Sequence, residues 1–207
     1  MIPMAPAGLW LALTALYAVF LWWYGGRGRP LSTAEIEAGL RTLAERNQDP
    51  QGQALLQDLR DLLAQDDGRE FVMQNLVRYR TRAAYPPGHS YGDDPRAADR
   101  RYARAILWPL LRRACVLVFV ARRNGRFIDP PGAEAWHYVA MVRYRSRRDF
   151  LHFALEIERG DIVMHKWAAI ETTHVFPVRP LLSLFPVRSA VLVLLALLGL
   201  AAGLLTG

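Results

Sequence analysis

Val77-Arg78-Tyr79-Arg80-Thr81-Arg82 recurs further along the chain as Val142-Arg143-Tyr144-Arg145-Ser146-Arg147. Each copy closes a stretch of strand length and composition, Phe71–Arg80 (FVMQNLVRYR) and Trp136–Arg145 (WHYVAMVRYR), rich in β-branched and aromatic residues. Each leads toward a helical pattern. The first is about Arg96–Arg113, with Tyr102, Ile106, Leu107, Leu110 and Leu111 on its apolar side, and the second is Asp149–Glu158. Between them lies an apolar strand, Cys115–Ala121, followed by the turn signal Asn124-Gly125. Ile170–Val178 reads as a closing strand ended by Pro177, and Ile162–Trp167 fits either element type.

The order is strand, helix, strand, strand, helix, strand, with an internal repeat, as two βαβ halves would give. It predicts an α+β chain whose residues 70–180 form a ferredoxin-like βαββαβ domain. The two repeat-bearing strands are expected to be central, parallel neighbours. Arg78, Arg80, Arg143 and Arg145 would then gather at one sheet edge as a candidate anion-binding cluster, near the carboxyl ends of the strands. Phe71–Tyr79 and Val139–Tyr144 are apolar on both faces, so the sheet needs cover on both sides.

Upstream, residues 27–69 read as a linker and helical hairpin. Ser32-Thr33-Ala34-Glu35 fits a capping box. Ile36, Leu40 and Leu43 follow at helical spacing, and a second helix runs over about Gln53–Gln65 until Asp66-Asp67-Gly68 stops it.

The ends of the chain are of another kind. Every charged side chain lies between Arg27 and Arg188. Ala7–Tyr24 and Ser189–Leu205 are uncharged, apolar and long enough to cross a bilayer. Residues 1–26 and 181–207 are therefore expected to hold one transmembrane helix each. Trp22, Trp23 and Tyr24 suit the water interface, and Arg27, Arg29, Arg179 and Arg188 put the flanking positive charge on the domain side. That predicts a two-pass protein of a bacterial inner membrane with a cytoplasmic domain; a periplasmic domain is the alternative. Gly199 and Gly203 have the spacing that lets helices approach closely and make a candidate contact to a membrane-protein partner.

The net charge is +7, and Lys166 is the only lysine among 26 basic residues. Membrane lipids are the expected partner for this charge; nucleic acid is not, because the domain is tethered. One cysteine, Cys115 in an apolar run, excludes an internal disulfide.

Three stretches, FVMQNLVRYRTRAAYP (71–86), WHYVAMVRYRSRRDFLHF (136–153) and HKWAAIETTHVFPV (165–178), resemble the dimeric α/β-barrel superfamily. They are most similar to small bacterial domains of unknown function related to antibiotic-biosynthesis monooxygenases. The resemblance implies a homodimer whose two sheets pack into a barrel. It also implies a setting in which an amide such as Asn75 could orient a substrate. Tyr85, Tyr102, Trp136, His137, His165 and Trp167 complete that candidate pocket, although core aromatics and hydrogen-bonded structural histidines are the simpler reading. No pair among the five histidines has helical metal-site spacing, and no Cys-x-x-Cys is present, so neither metal nor cofactor is expected. No residue set fills every catalytic role. A membrane-anchored assembly or binding module that dimerises through its α+β domain is thus expected ahead of the alternative, a cofactor-free oxygenase or isomerase acting on a lipophilic molecule.

Overall fold

The computed structural model describes residues 7–26, 28–181 and 186–206. Arg27 lies outside the described residues. The elements in chain order are α1 (Ala7–Tyr24), α2 (Thr33–Ala44), α3 (Pro50–Ala64), β1 (Phe71–Tyr79), α4 (Pro95–Leu111), β2 (Val116–Arg122), β3 (Tyr138–Tyr144), α5 (Arg147–Glu158), α6 (Ile162–Ala169), β4 (Ile170–Val178) and α7 (Val187–Thr206). Two compact units result, one of residues 26–179 and one formed by the two ends.

In the larger unit the strands form one antiparallel sheet in the order β2-β3-β1-β4. β1 and β3 are central neighbours, as expected, but antiparallel, with Phe71 opposite Tyr144 and Val77 opposite Tyr138. The expected parallel pairing is wrong for a topological reason. The β1-α4-β2 crossover leaves a slot beside β1, and β3 fills it by reversing direction after β2. The two halves of the repeat are therefore related by a two-fold turn, which sends equivalent residues to opposite ends of the sheet.

Alternation along the strands gives the sheet two unlike faces. Phe71, Met73, Val142 and Tyr144 pack with Leu110, Phe153 and Ile157 of α4 and α5. Val77 packs with Ala98 of α4 and with Ala168 and Ala169 of α6. The opposite face carries Gln74, Leu76, Val139, Met141, Phe119 and Phe176, and none of these belongs to a helix-packed cluster among the described residues. Arg143 and Arg78 lie on that same face, toward its two ends.

Local signals explain the helix ends. The Ser32 hydroxyl accepts from Glu35 N at 3.3 Å, and the Glu35 carboxylate accepts from Ser32 N at 2.8 Å, completing the capping box. α3 starts earlier than the apolar stripe suggests, because Asp49 accepts from Gly52 N at 2.8 Å and Pro50 suits the first helical position. α4 ends where Ala114 takes a left-handed conformation, φ 54°. The ambiguous 162–167 stretch is helical. Pro177 is accommodated inside β4 because that strand is at the sheet edge. The α2–α3 hairpin packs Ile36, Leu40, Leu43 and Leu63 onto Leu151 of α5, a second helical layer on the same side.

In the smaller unit, α1 and α7 are both long and apolar enough to cross a membrane. They run antiparallel. Trp10 lies against Gly199, where an added Cβ would come within 2.5 Å of the indole. At the other end Tyr17 Oη donates to the Arg188 carbonyl at 3.2 Å, and the Arg188 guanidinium lies 5.0 Å from the Tyr24 ring centroid. α7 begins two residues before the expected apolar segment, so Arg188 sits in its first turn.

Candidate functional site

The helix-covered side of the sheet opens at one end into a cleft of about 650 Å³. Its floor is Tyr79 at the end of β1 and Tyr138 at the start of β3. One wall is the first half of α4, with Arg96, Asp99 and Arg100. The other is the end of β2 and the β2–β3 connection, with Arg122, Arg123, Arg126, Trp136 and His137. α4 starts at this wall because Asp94 caps it, accepting from Arg96 N at 2.8 Å.

Asp99 organises the floor. Tyr79 Oη donates to its Oδ2 at 2.8 Å, and Tyr138 Oη donates to its Oδ1 at 3.3 Å. Burial raises the Asp99 carboxyl above its ordinary range, against the lowering effect of the two tyrosine hydrogen bonds. Burial, reinforced by the Asp99 charge, pushes both tyrosine hydroxyls upward, so they remain donors. His137 Nδ1 accepts from Tyr79 N at 3.0 Å. The neutral imidazole therefore carries its proton on Nε2. Most of the arginines are already engaged: Arg123 and Arg126 share Asp129, and Arg100 reaches Asp94 at 3.4 Å. Among the described residues Arg96 and Arg122 form no ion pair; Arg96 lies over the Tyr79 ring at 5.7 Å.

Only two of the residues proposed from sequence, Trp136 and His137, line this cleft. Tyr85 and His165 meet elsewhere, Tyr85 Oη to His165 Nδ1 at 2.9 Å, with Tyr91 edge-on to the imidazole at 4.9 Å. Burial, then the Arg101 charge, lowers the His165 pKa. Asn75 points into the helix-covered core and donates to Met73 O at 3.0 Å and Ala140 O at 3.4 Å. Its amide is committed to backbone there and lies outside the cleft. Tyr102 is half-buried on α4 and does not line the cleft, and burial raises its hydroxyl pKa. Trp167 offers its carbonyl to Arg80 Nε at 3.2 Å and its ring to Lys166 Nζ at 4.7 Å. Burial lowers the Lys166 pKa.

The four-arginine cluster is corrected by the topology. Arg78 and Arg80 lie at one end of the sheet, Arg143 and Arg145 at the other. Arg78 meets Glu134 at 3.1 Å and Glu171 at 3.5 Å. Arg143 Nε donates to Glu70 at 3.0 Å and its Nη1 to Ala114 O at 2.8 Å. Arg145 grips Asp149 with two bonds of 2.8 Å. No group of three or more metal-ligating side chains occurs among the described residues.

The residues missed from sequence are Asp99, Tyr138, Arg96 and Arg122. Asp99 sits in PRAADRRYA, where it reads as an ordinary charge near a helix start. Only a fold placing Tyr79 beside Tyr138 under the start of α4 could have flagged it.

No family model matches the chain, and none of the curated proteins does. Among solved structures it is similar to RPA0582, a protein of unknown function from Rhodopseudomonas palustris. The identity is 26% and the TM-score 0.52, over 63% of this chain and 94% of that one. The methylated RPA0582 protein is similar at 25% identity and TM-score 0.51, over 75% of this chain and 96% of that one. Both matches fit an α+β domain.

Proposed function

We propose that this chain is a two-pass membrane-anchored binding module whose ferredoxin-like α+β domain pairs with a second copy. The carrying observation is the sheet face bearing Leu76, Val139, Met141 and Phe119, which joins no helix-packed cluster among the described residues while α4, α5 and α6 cover the other face. An apolar sheet face left in water is costly, and a second sheet is its natural cover. The strand order β2-β3-β1-β4, with one crossover helix after β1 and two helices after β3, supports the ferredoxin-like reading. The length and apolarity of α1 and α7 support the anchor. Arg29, Arg179 and Arg188 favour a cytoplasmic domain at a bacterial inner membrane.

The test is co-purification of two differently tagged full-length chains from mild detergent. Wild-type chains should bring each other down, and Leu76→Asp with Met141→Asp should abolish this while Cys115 stays protected from thiol reagents. Pairing that survives both substitutions, or that is missing in the wild type, removes the proposal.

A second reading rests on the Tyr79–Asp99–Tyr138 arrangement beside His137. A buried carboxyl with a raised pKa next to a cleft is the kind of group that takes part in proton transfer. It would make the cleft an acid–base site for a lipophilic molecule. Asp99 and His137, rather than Asn75, would then be the residues to vary.

A further inference from the structure

We propose that the tip of the β2–β3 connection, Arg126-Phe127-Ile128 with Arg122 beside it, docks on an anionic lipid surface. Phe127 is 95% exposed and Ile128 79%. Single apolar residues on a surface need no explanation, but two large adjacent ones at a loop tip do.

The tip is held out by its own bonding. Gly125 takes φ 91°, a conformation that favours glycine, and turns the chain. Arg123 Nε donates to Gly125 O at 3.0 Å, Arg123 pairs with Asp129, and Arg126 Nε reaches the same carboxylate at 3.0 Å. Arg123 N donates to His137 O at 3.0 Å and Ala133 N to Pro130 O at 3.0 Å, closing the base. The apolar pair is thus presented by an ordered loop, and little further ordering is needed when it meets a partner.

Charge selects the partner. Arg123 and Arg126 share the one Asp129 carboxylate, Arg122 at the end of β2 has no ion pair among the described residues, and the Arg126 side chain is 78% exposed. Arginines around an aromatic and an aliphatic side chain match the two layers of a lipid surface: phosphates take the guanidiniums and the acyl boundary takes the rings and branches. The inference rests on the membrane-anchored reading above, which keeps such a surface near the domain.

The experiment uses the full chain in nanodiscs, with an environment-sensitive fluorophore on Phe127→Cys and, separately, on Ile128→Cys. Cys115 is fully buried and does not compete for label. Discs of phosphatidylcholine alone are compared with discs containing phosphatidylserine, each with and without nitroxide-labelled lipid. Expected is a blue-shifted emission quenched by the nitroxide in the anionic discs, at least halved in neutral discs and by Arg122→Gln with Arg126→Gln. A label that reports water in an incorporated chain overturns the docking and leaves the anchor standing. A blue shift without lipid quenching assigns the tip to a second copy and overturns it equally. Equal quenching in neutral and anionic discs overturns the charge selection. A chain that does not incorporate overturns both readings.

Discussion

Phe71 and Tyr144 stand opposite each other across the β1–β3 ladder and stack, their ring centroids 5.4 Å apart and their planes 19° from parallel. The first residue of one central strand thus meets the last residue of the other. That contact separates the two Arg-Tyr-Arg repeats, and it makes the two tyrosines unlike. Tyr144 is a core ring, whereas Tyr79 lines the cleft.

Phe150 packs edge-on against Phe71 at 6.1 Å. Phe71→Ala should therefore empty the centre of the larger core and cost about 3–5 kcal/mol. Denaturant-dependent exposure of Cys115 to a thiol reagent in the full chain measures it; a loss within the range of a surface substitution would show that the stack is peripheral.

Glu35 ties α2 to α5. Arg148 donates to it at 2.6 and 3.1 Å, and Ser32 N at 2.8 Å. The Arg148 hydrogen bonds, then those of Ser32, hold its carboxyl far below the ordinary 4.5. A lowered carboxyl stabilises the folded state above its unfolded value, and the effect is lost as pH falls through the folded value. Glu35→Gln should flatten the decline of stability below pH 4.5, read by pulse proteolysis against pH.

Asp99 has the opposite sign. Burial raises its carboxyl, so above the ordinary value of 3.8 the folded chain holds a proton that the unfolded chain has released. Stability should fall as pH rises through that window and level off once both states are ionised. Asp99→Asn should remove the fall. A wild-type profile with no such fall would mean that the tyrosine hydrogen bonds outweigh burial.

Cys115 is buried, and burial pushes its thiol up to about 11, so it should resist maleimides in the native chain. Asn124→Cys, at the exposed turn after β2, then reports sidedness without removing the native cysteine. An impermeant reagent should label it only after lysis. Labelling in intact cells would place the domain outside.

Much of the fold was legible because it depends on local rules. The capping box at Ser32, the strand composition of Ile170–Val178 and the two uncharged ends each lie within one short stretch. The start of α3 was not visible in its apolar stripe, since it depends on Asp49 and Pro50 preceding that stripe. The site was legible only at Trp136 and His137. Asn75 looked like a pocket amide because a polar residue in an apolar strand has to find partners, and those partners proved to be the carbonyls of Met73 and Ala140.

The sequence by itself determined the elements, their order and the repeat, because hydrophobic period, caps and turns act over a few residues. It also determined that the two ends are apolar enough to cross a membrane. Tertiary structure alone decided strand direction, and everything else of functional interest followed from that. A repeat carries no arrow: βαβ halves read alike whether their first strands run together or opposed. Once β3 reverses beside β1, the four arginines part and pair with carboxylates or carbonyls. Tyr79 and Tyr138 then meet over Asp99, and one face of the sheet joins no helix-packed cluster among the described residues.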